Sequence, residues 1–350
     1  MPAPLPWTDD VERIQPDEAE HIRRCIDSML RVNAMTFDLH RHGVRATHAK
    51  SHGFLRGTLT VHDDLPRELA QGLFATAGAT HDVVVRLATE SGQLDDDRKA
   101  NARGLSLKVF DVEGETLEPG TTTHDLLFNT LPILGPGTAQ KFMELSEIRE
   151  RHFSDESAMT EEIQSRPDAE QMTAFHRLVG NIHPLAHAYY TQGAFGYGDH
   201  VAKISVYPGT AEQEALADRE VTSDDDGSVL RALVESWTTD RETVFDVRVQ
   251  LRTSEDMPVE DASVDWSQDE SPYRSVATVR LPPQQPYSNA RRVFGDDRLA
   301  FRPWHGLAAH RPLGSVNRLR QQGYEALGKQ RTDLNATTGT TMTSASELPD

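Results

Sequence analysis

The stretch Arg45-Ala46-Thr47-His48-Ala49-Lys50-Ser51-His52-Gly53 sets a histidine among small neighbours. It holds no apolar side chain larger than alanine, and an alternating apolar run follows it. A histidine at the mouth of a strand can sit over a reaction centre and move protons. The same pattern also suits a hydrogen-bonded core histidine. The far end of the chain supplies Arg320, Tyr324 and Arg331. On a helix, positions i and i+4 share a face, which puts Arg320 beside Tyr324. A cation held there favours the phenolate form. A phenolate is a hard anionic ligand for ferric iron, haem iron included. By spacing alone, the pair also fits a surface helix with an ordinary arginine–tyrosine contact.

Other spacings carry less. His183 and His187 have the i, i+4 spacing of a zinc pair, without the glutamate of a zinc hydrolase or an obvious third ligand. Cys25 falls on or near the apolar face of a predicted helix and reads as a packed, inert thiol. Asp95-Asp96-Asp97-Arg98-Lys99 reads as a solvated loop. Neither G-x-G-x-x-G nor G-x-x-x-x-G-K-[ST] occurs, which argues against a nucleotide-dependent enzyme. The G-x-S-x-G nucleophile elbow is absent too.

Taken in order, five short motifs resemble the catalase superfamily. Arg45 with His48-Ala49-Lys50 looks like the family's R-x-x-H-A-K. Arg86-Leu87-Ala88-Thr89 resembles R-F-S-T. Ala102-Arg103-Gly104-Leu105 with Lys108-Val109-Phe110 resembles P-R-G-F-A-V-K-F. Phe128-Asn129-Thr130 resembles N-N-T, and Arg320, Tyr324 and Arg331 match R-x-x-x-Y followed by an arginine seven residues on. The resemblance spans roughly residues 37–331. Pro303-Trp304-His305 and His310-Arg311-Pro312-Leu313-Gly314 are similar to the compact catalase-like branch, near catalase-related peroxidases and the allene oxide synthase-type domain.

The resemblance implies haem b as cofactor and peroxide chemistry. Tyr324 would be the iron ligand, its pKa lowered by Arg320. His48 would act as acid–base near its natural pKa, and Asn129 would donate an amide hydrogen to bound peroxide. Arg45, Arg86 and Arg331 match the family's propionate-binding arginines. Thr47 stands where true catalases carry valine, and its hydroxyl can hydrogen-bond bound oxygen or the histidine. That would restrain the second half of dismutation, in which another hydrogen peroxide is oxidised. The expected substrate is therefore an organic or fatty-acid hydroperoxide, or hydrogen peroxide with an organic donor. Monofunctional dismutation of hydrogen peroxide is the alternative. A haem sensor or storage protein would not need His48, and a barrel that had lost its cofactor would not need the Arg320–Tyr324 pair. Departures from the family include Ala88 for serine, Leu131 interrupting the asparagine motif, and no firm counterpart of the haem-stacking aromatic beyond Phe142. The long threading arm and C-terminal helical domain of full-length catalases are not in view, so a monomer or homodimer is expected.

These groups need a scaffold. Net charge is −19, which argues against non-specific nucleic-acid binding. No apolar run is long enough for membrane insertion. Asp9, Asp10 and Glu12 stand where a signal peptide would be basic and then apolar. One cysteine suits a reducing cytoplasm. Period-two alternation predicts strands over 54–61, 81–89, 105–112, 126–134, 201–208, 243–253 and 275–281. Helical spacing predicts helices over 17–35, 67–76, 138–190 and 316–330. Strands in two groups with helices between them predict an α+β fold: an antiparallel β-barrel core with inserted and flanking helices. The catalase resemblance implies the same fold. Three units follow: an arm and helix over 1–36, a haem-binding barrel domain over 37–332, and a disordered Thr/Ser-rich tail over 333–350.

Overall fold

The computed structural model describes residues 2–350, apart from the side chains of 174–178. Nine antiparallel strands run as β1 (Ser51–Val61), β2 (Thr80–Thr89), β3 (Arg103–Val109), β4 (His124–Asn129), β5 (Tyr189–Tyr190), β6 (Phe195–Tyr197), β7 (His200–Pro208), β8 (Thr243–Leu251) and β9 (Arg274–Leu281). β1 pairs with both β2 and β9, while β5 pairs with both β4 and β7. Those two pairings close eight strands into a barrel and leave β6 as a ninth strand on β7. Closure removes the open edges that strands otherwise expose.

The alternation decides which way each side chain faces. Val83, Val85 and Leu87 of β2, Leu105 and Leu107 of β3, and Leu126 and Phe128 of β4 fill the barrel core. Their neighbours Phe54, Val84 and Phe110 turn outward and meet Leu299 and Phe301 of the 282–313 segment. Arg86, Gly104 and Asn129 share that outer face.

Helices cover it. They are α1 (Glu18–His40), α2 (Ala139–Arg151), α3 (Glu156–Gln164), α4 (Ala169–Leu178), α5 (Ala211–Glu214), α6 (Val229–Thr238), α7 (Asn289–Arg292) and α8 (Ser315–Leu334). α1, α2 and α8 pack through Ile22, Ile26, Met143 and Leu319. Cys25 lies in the same cluster, and burial pushes its thiol up to about 11, as suits an inert packed cysteine.

Four expectations need correction. The predicted helix over 67–76 is only a 3₁₀ turn at Gly72–Phe74. Gly72 holds φ +53°, and a Cβ there would lie 2.4 Å from the His310 ring, so the turn takes glycine at that position. The boundary drawn at residue 36 falls inside α1, which continues to His40 and stops at Arg41 in the left-handed region. The strand drawn to residue 134 ends at Asn129, just before Leu131-Pro132. Residues 333–350 are not a free tail. Met342, Ala345 and Leu348 are buried on the outer-face cluster, and Arg291 donates to the Pro349 carbonyl at 2.8 Å. Few apolar residues suffice where the barrel already presents an apolar floor.

Buried histidines give the scaffold a pH limit. His310 accepts from the Leu73 amide at 2.9 Å, His124 from Leu307 at 2.9 Å, and His183 from Leu185 at 3.1 Å. An accepting ring nitrogen must be unprotonated. Burial holds His183 and His310 down to about 4 and His187 to about 3, and keeps His52 and His124 well below the usual histidine range. In the unfolded chain these rings titrate near about 6.5. The unfolded state thus binds more protons below that pH, and stability is full above it and lost as pH falls. Each ring contributes a slope of about 1.4 kcal/mol per pH unit. Denaturant unfolding should show a steep loss of stability between pH 6.5 and 5. A flat profile over that interval would mean that the rings are solvated.

Candidate functional site

His48 lies just ahead of β1, with φ +56°. A non-glycine residue in the left-handed region is strained by about 1–2 kcal/mol and needs to be held there. Its amide donates to the Glu90 carbonyl at 2.7 Å, and its own carbonyl accepts from Arg86 Nη2 at 2.7 Å. Clamped this way, the ring lies on Gly104 of β3: a Cβ there would stand 2.3 Å from His48 Nδ1. Only glycine leaves room for the imidazole. The register places Gly104 directly opposite Asn129 of β4. The histidine and asparagine read from the sequence are therefore brought together.

His48 Nδ1 is buried with no hydrogen-bond partner. The ring's pKa is pushed down to about 3, first by burial and then by Arg86, Arg320 and Arg45. This corrects the expectation of a natural pKa. Thr47 is half-buried beside it, and no described residue hydrogen-bonds its hydroxyl. Asn129 is not wholly free: its Nδ2 donates to Glu90 Oε2 at 3.1 Å, while its Oδ1 accepts from the Thr130 amide at 2.7 Å. One amide hydrogen is left to face a ligand.

A cluster of guanidinium groups borders this floor. Arg86 is buried on β2, its guanidinium 5.8 Å from the Phe54 ring centre. It also reaches Asp296 Oδ1 at 3.1 Å. Arg45 donates to the carbonyls of Gly295 at 2.7 Å, Asp296 at 3.0 Å and Leu299 at 2.8 Å. Arg331, buried on α8, donates to the Leu299 carbonyl at 3.3 Å. Asp296 also accepts from Ser51 Oγ at 2.6 Å, and Asp297 meets His42 at 2.7 Å. Both aspartates sit on a single π-helical turn, Val293–Arg298. Burial, then Arg86 and Arg331, holds Arg45 well below the usual arginine range. Burial followed by Arg86 brings Arg331 down to about 10.

α8 carries Tyr324, half-buried, and no described residue hydrogen-bonds its hydroxyl. Arg320 is one turn away, but its Nη1 donates to Asn317 Oδ1 at 3.2 Å rather than to the tyrosine. Arg320 is nonetheless among the charges that disfavour the His48 cation. Phe142 packs with α1, α2 and α8.

The unpartnered groups here are of the kinds that would hold a haem. Arg86 Nε and Arg331 Nε are buried donors without partners, which carboxylates would take. Tyr324 offers an unbonded oxygen, and His48 an unbonded ring nitrogen. By contrast, His183 bonds the Leu233 carbonyl at 3.0 Å, and among the described residues no cluster of three metal-ligating side chains occurs. Three participants were missed from the sequence. Gly104 lay inside a recognised motif, but its reason is the His48 ring. Glu90 and Asp296 carry no spacing signal, because their partners are distant in sequence.

The fold is that of catalases. Against the crystal structure of a fungal catalase the TM-score is 0.65 at 17% identity, covering 86% of this chain and 62% of the other. Catalase A from Saccharomyces cerevisiae gives 0.64 at 16% identity, covering 84% and 62%. A bacterial catalase gives 0.58 at 18% identity, covering 84% and 58%. The chain thus spans 58–62% of the length of these three proteins. No protein-family model and no curated protein sequence matches it.

Proposed function

From a chain with the fold of catalases, we propose a haem-dependent hydroperoxidase. The observation that carries this reading is His48, strained and clamped so that its ring lies on Gly104 opposite Asn129. Haem bound through Tyr324 would supply the electrons that O–O cleavage consumes.

The chain's own residues handle the protons. His48 is neutral at working pH and takes the proton from the incoming hydroperoxide oxygen at a ring nitrogen. With a pKa near 3, the resulting cation is a strong acid in an arginine-rich site, so it readily returns that proton to the departing oxygen. Asn129 keeps one amide hydrogen to orient the peroxide. Arg86 and Arg331 hold carboxylate at the cofactor edge, where unpaired buried charge would be costly. The acid–base role thus does not depend on His48 titrating near neutrality, and cleavage should stay level from pH 8 down to about 6.5, below which the buried scaffold histidines erode stability.

Thr47 favours an organic hydroperoxide. Its hydroxyl is uncommitted and adjacent to His48. One neutral hydrogen bond contributes about 0.5–1.5 kcal/mol, or roughly threefold to tenfold in rate. Thr47→Val should raise hydrogen peroxide dismutation by that factor without improving organic hydroperoxide turnover. The structural likeness to catalases supports dismutation as the second reading. Oxygen evolution and lipid-hydroperoxide loss, measured side by side, separate the two. Dismutation at the rate of a dedicated catalase, unchanged in Thr47→Val, would favour that second reading.

A further inference from the structure

The strand register carries the candidate site sideways across the barrel. Gly104 faces Asn129, Asn129 faces Tyr190 of β5, Tyr190 faces Ser205 of β7, and Ser205 faces Arg248 of β8. Side chains directly opposite on paired strands share a face. Tyr189, one step along β5, lies in the barrel core, so the row runs along the outer face. Paired strands lie about 4.8 Å apart, which puts Tyr190 roughly 10 Å from Gly104, on which the His48 ring lies.

Tyr190 opens an aromatic cluster. Its hydroxyl shares a hydrogen bond with the Tyr207 hydroxyl at 3.1 Å, and the two ring centres are 5.8 Å apart. Tyr273 packs against both rings, at 5.5 Å and 6.3 Å. The Arg248 guanidinium lies 4.2 Å from the centre of the Tyr207 ring, and its Nε donates to Asp246 at 2.6 Å. Arg248 also lines an open surface groove of about 370 Å³, with Asp246, Ser275, Thr278 and Arg280. The three phenols differ in one respect. A protonated phenol gives up an electron readily only when its proton can leave too. Tyr190 and Tyr207 each have the other's oxygen as a partner, whereas the Tyr273 hydroxyl is buried without one.

We propose that Tyr190 and Tyr207 form an electron path from the candidate site to the groove beside Arg248, where a phenolic donor is oxidised. This rests on the haem reading above and names the electron source for the same site. A phenol suits the groove because its ring can stack on the guanidinium and its hydroxyl can bond the polar walls. Cleavage of one hydroperoxide leaves the haem site two electrons short. Tyr190 loses one electron to that site, its phenolic proton passes to the Tyr207 oxygen, and the Tyr207 proton leaves to solvent. Tyr207 then returns a hydrogen atom to Tyr190 and takes one from the donor, which is left as a phenoxyl radical. The site takes up one proton with each electron. One hydroperoxide and two phenols thus give one alcohol, one water and two phenoxyl radicals. Tyr273 packs the pair and stays reduced.

The test reads the radical and not the turnover. Haemin-loaded protein, with and without ring-deuterated tyrosine, is mixed with cumene hydroperoxide, freeze-quenched and examined by electron paramagnetic resonance. The wild-type protein should give an organic radical signal that narrows on deuteration and is quenched by the phenol guaiacol. The signal should be lost in Tyr190→Phe and in Tyr207→Phe, and kept in Tyr273→Phe. A nitroso spin trap added to the wild-type protein should be found on Tyr190 or Tyr207 by peptide mass spectrometry, a result that needs no variant to fold. A wild-type signal that is absent or does not narrow, a signal that survives in both Tyr190→Phe and Tyr207→Phe, or a trap found only on other residues overturns the proposal. In each of those cases the release of cumyl alcohol leaves the haem reading standing. Wild-type protein that releases no cumyl alcohol overturns the haem reading itself, and the two failures are thereby distinguished.

Discussion

His48→Ala should leave haem bound and slow hydroperoxide cleavage by at least about a hundredfold, the low end for one general acid–base group. The ring contributes no hydrogen bond to the fold at Nδ1, so its removal leaves the barrel intact. The backbone is the weaker point, because alanine tolerates φ +56° poorly. His48→Asn is the companion variant, since asparagine enters the left-handed region readily. Both should bind haem with the wild-type ferric spectrum and both should be slow. Gly104→Ala should reproduce the loss without touching the histidine, because its Cβ would occupy the place of the ring. Turnover near wild type in His48→Asn would move the role elsewhere, with His52 and His42 next in line. Of these, His52 already bonds Thr89 at 2.8 Å and His42 bonds Asp297.

Tyr324→Phe should abolish stable haem loading. The substitution removes one oxygen from a half-buried position where no described residue bonds it, so apo stability should move by no more than about 0.5 kcal/mol. A purified variant that is colourless, with a wild-type unfolding midpoint, is the expected result. If it holds haem with an unchanged ferric spectrum, Tyr324 is not the ligand. Arg320→Ala gives a graded control. Its guanidinium bonds Asn317 and not the phenol. It should weaken haem loading without abolishing it.

Much of this protein was legible without coordinates. The valine run Val83-Val84-Val85 marked a strand, but both faces of it are buried, so only the barrel register decided which face Arg86 occupies. The i, i+4 spacing of Arg320 and Tyr324 placed both on one helix, and α8 carries them. Local rules reach only as far as their own period. The pKa of His48 was misjudged from the sequence because it depends first on burial and then on Arg86, Arg320 and Arg45, groups from three separate segments. The tail over 333–350 was misread because its composition is polar, while the apolar floor that orders it belongs to β1, β2 and the 282–313 segment. Glu90 and Asp296 gave no signal at all. A carboxylate has no preferred spacing, and its meaning comes from which donors closure brings to it. The amino-acid order by itself determined which residues could hold iron, move a proton or pair with a carboxylate. Closing the barrel decided which of those donors remain unpartnered, since long-range contacts settle burial, and burial settles both charge and hydrogen-bond capacity.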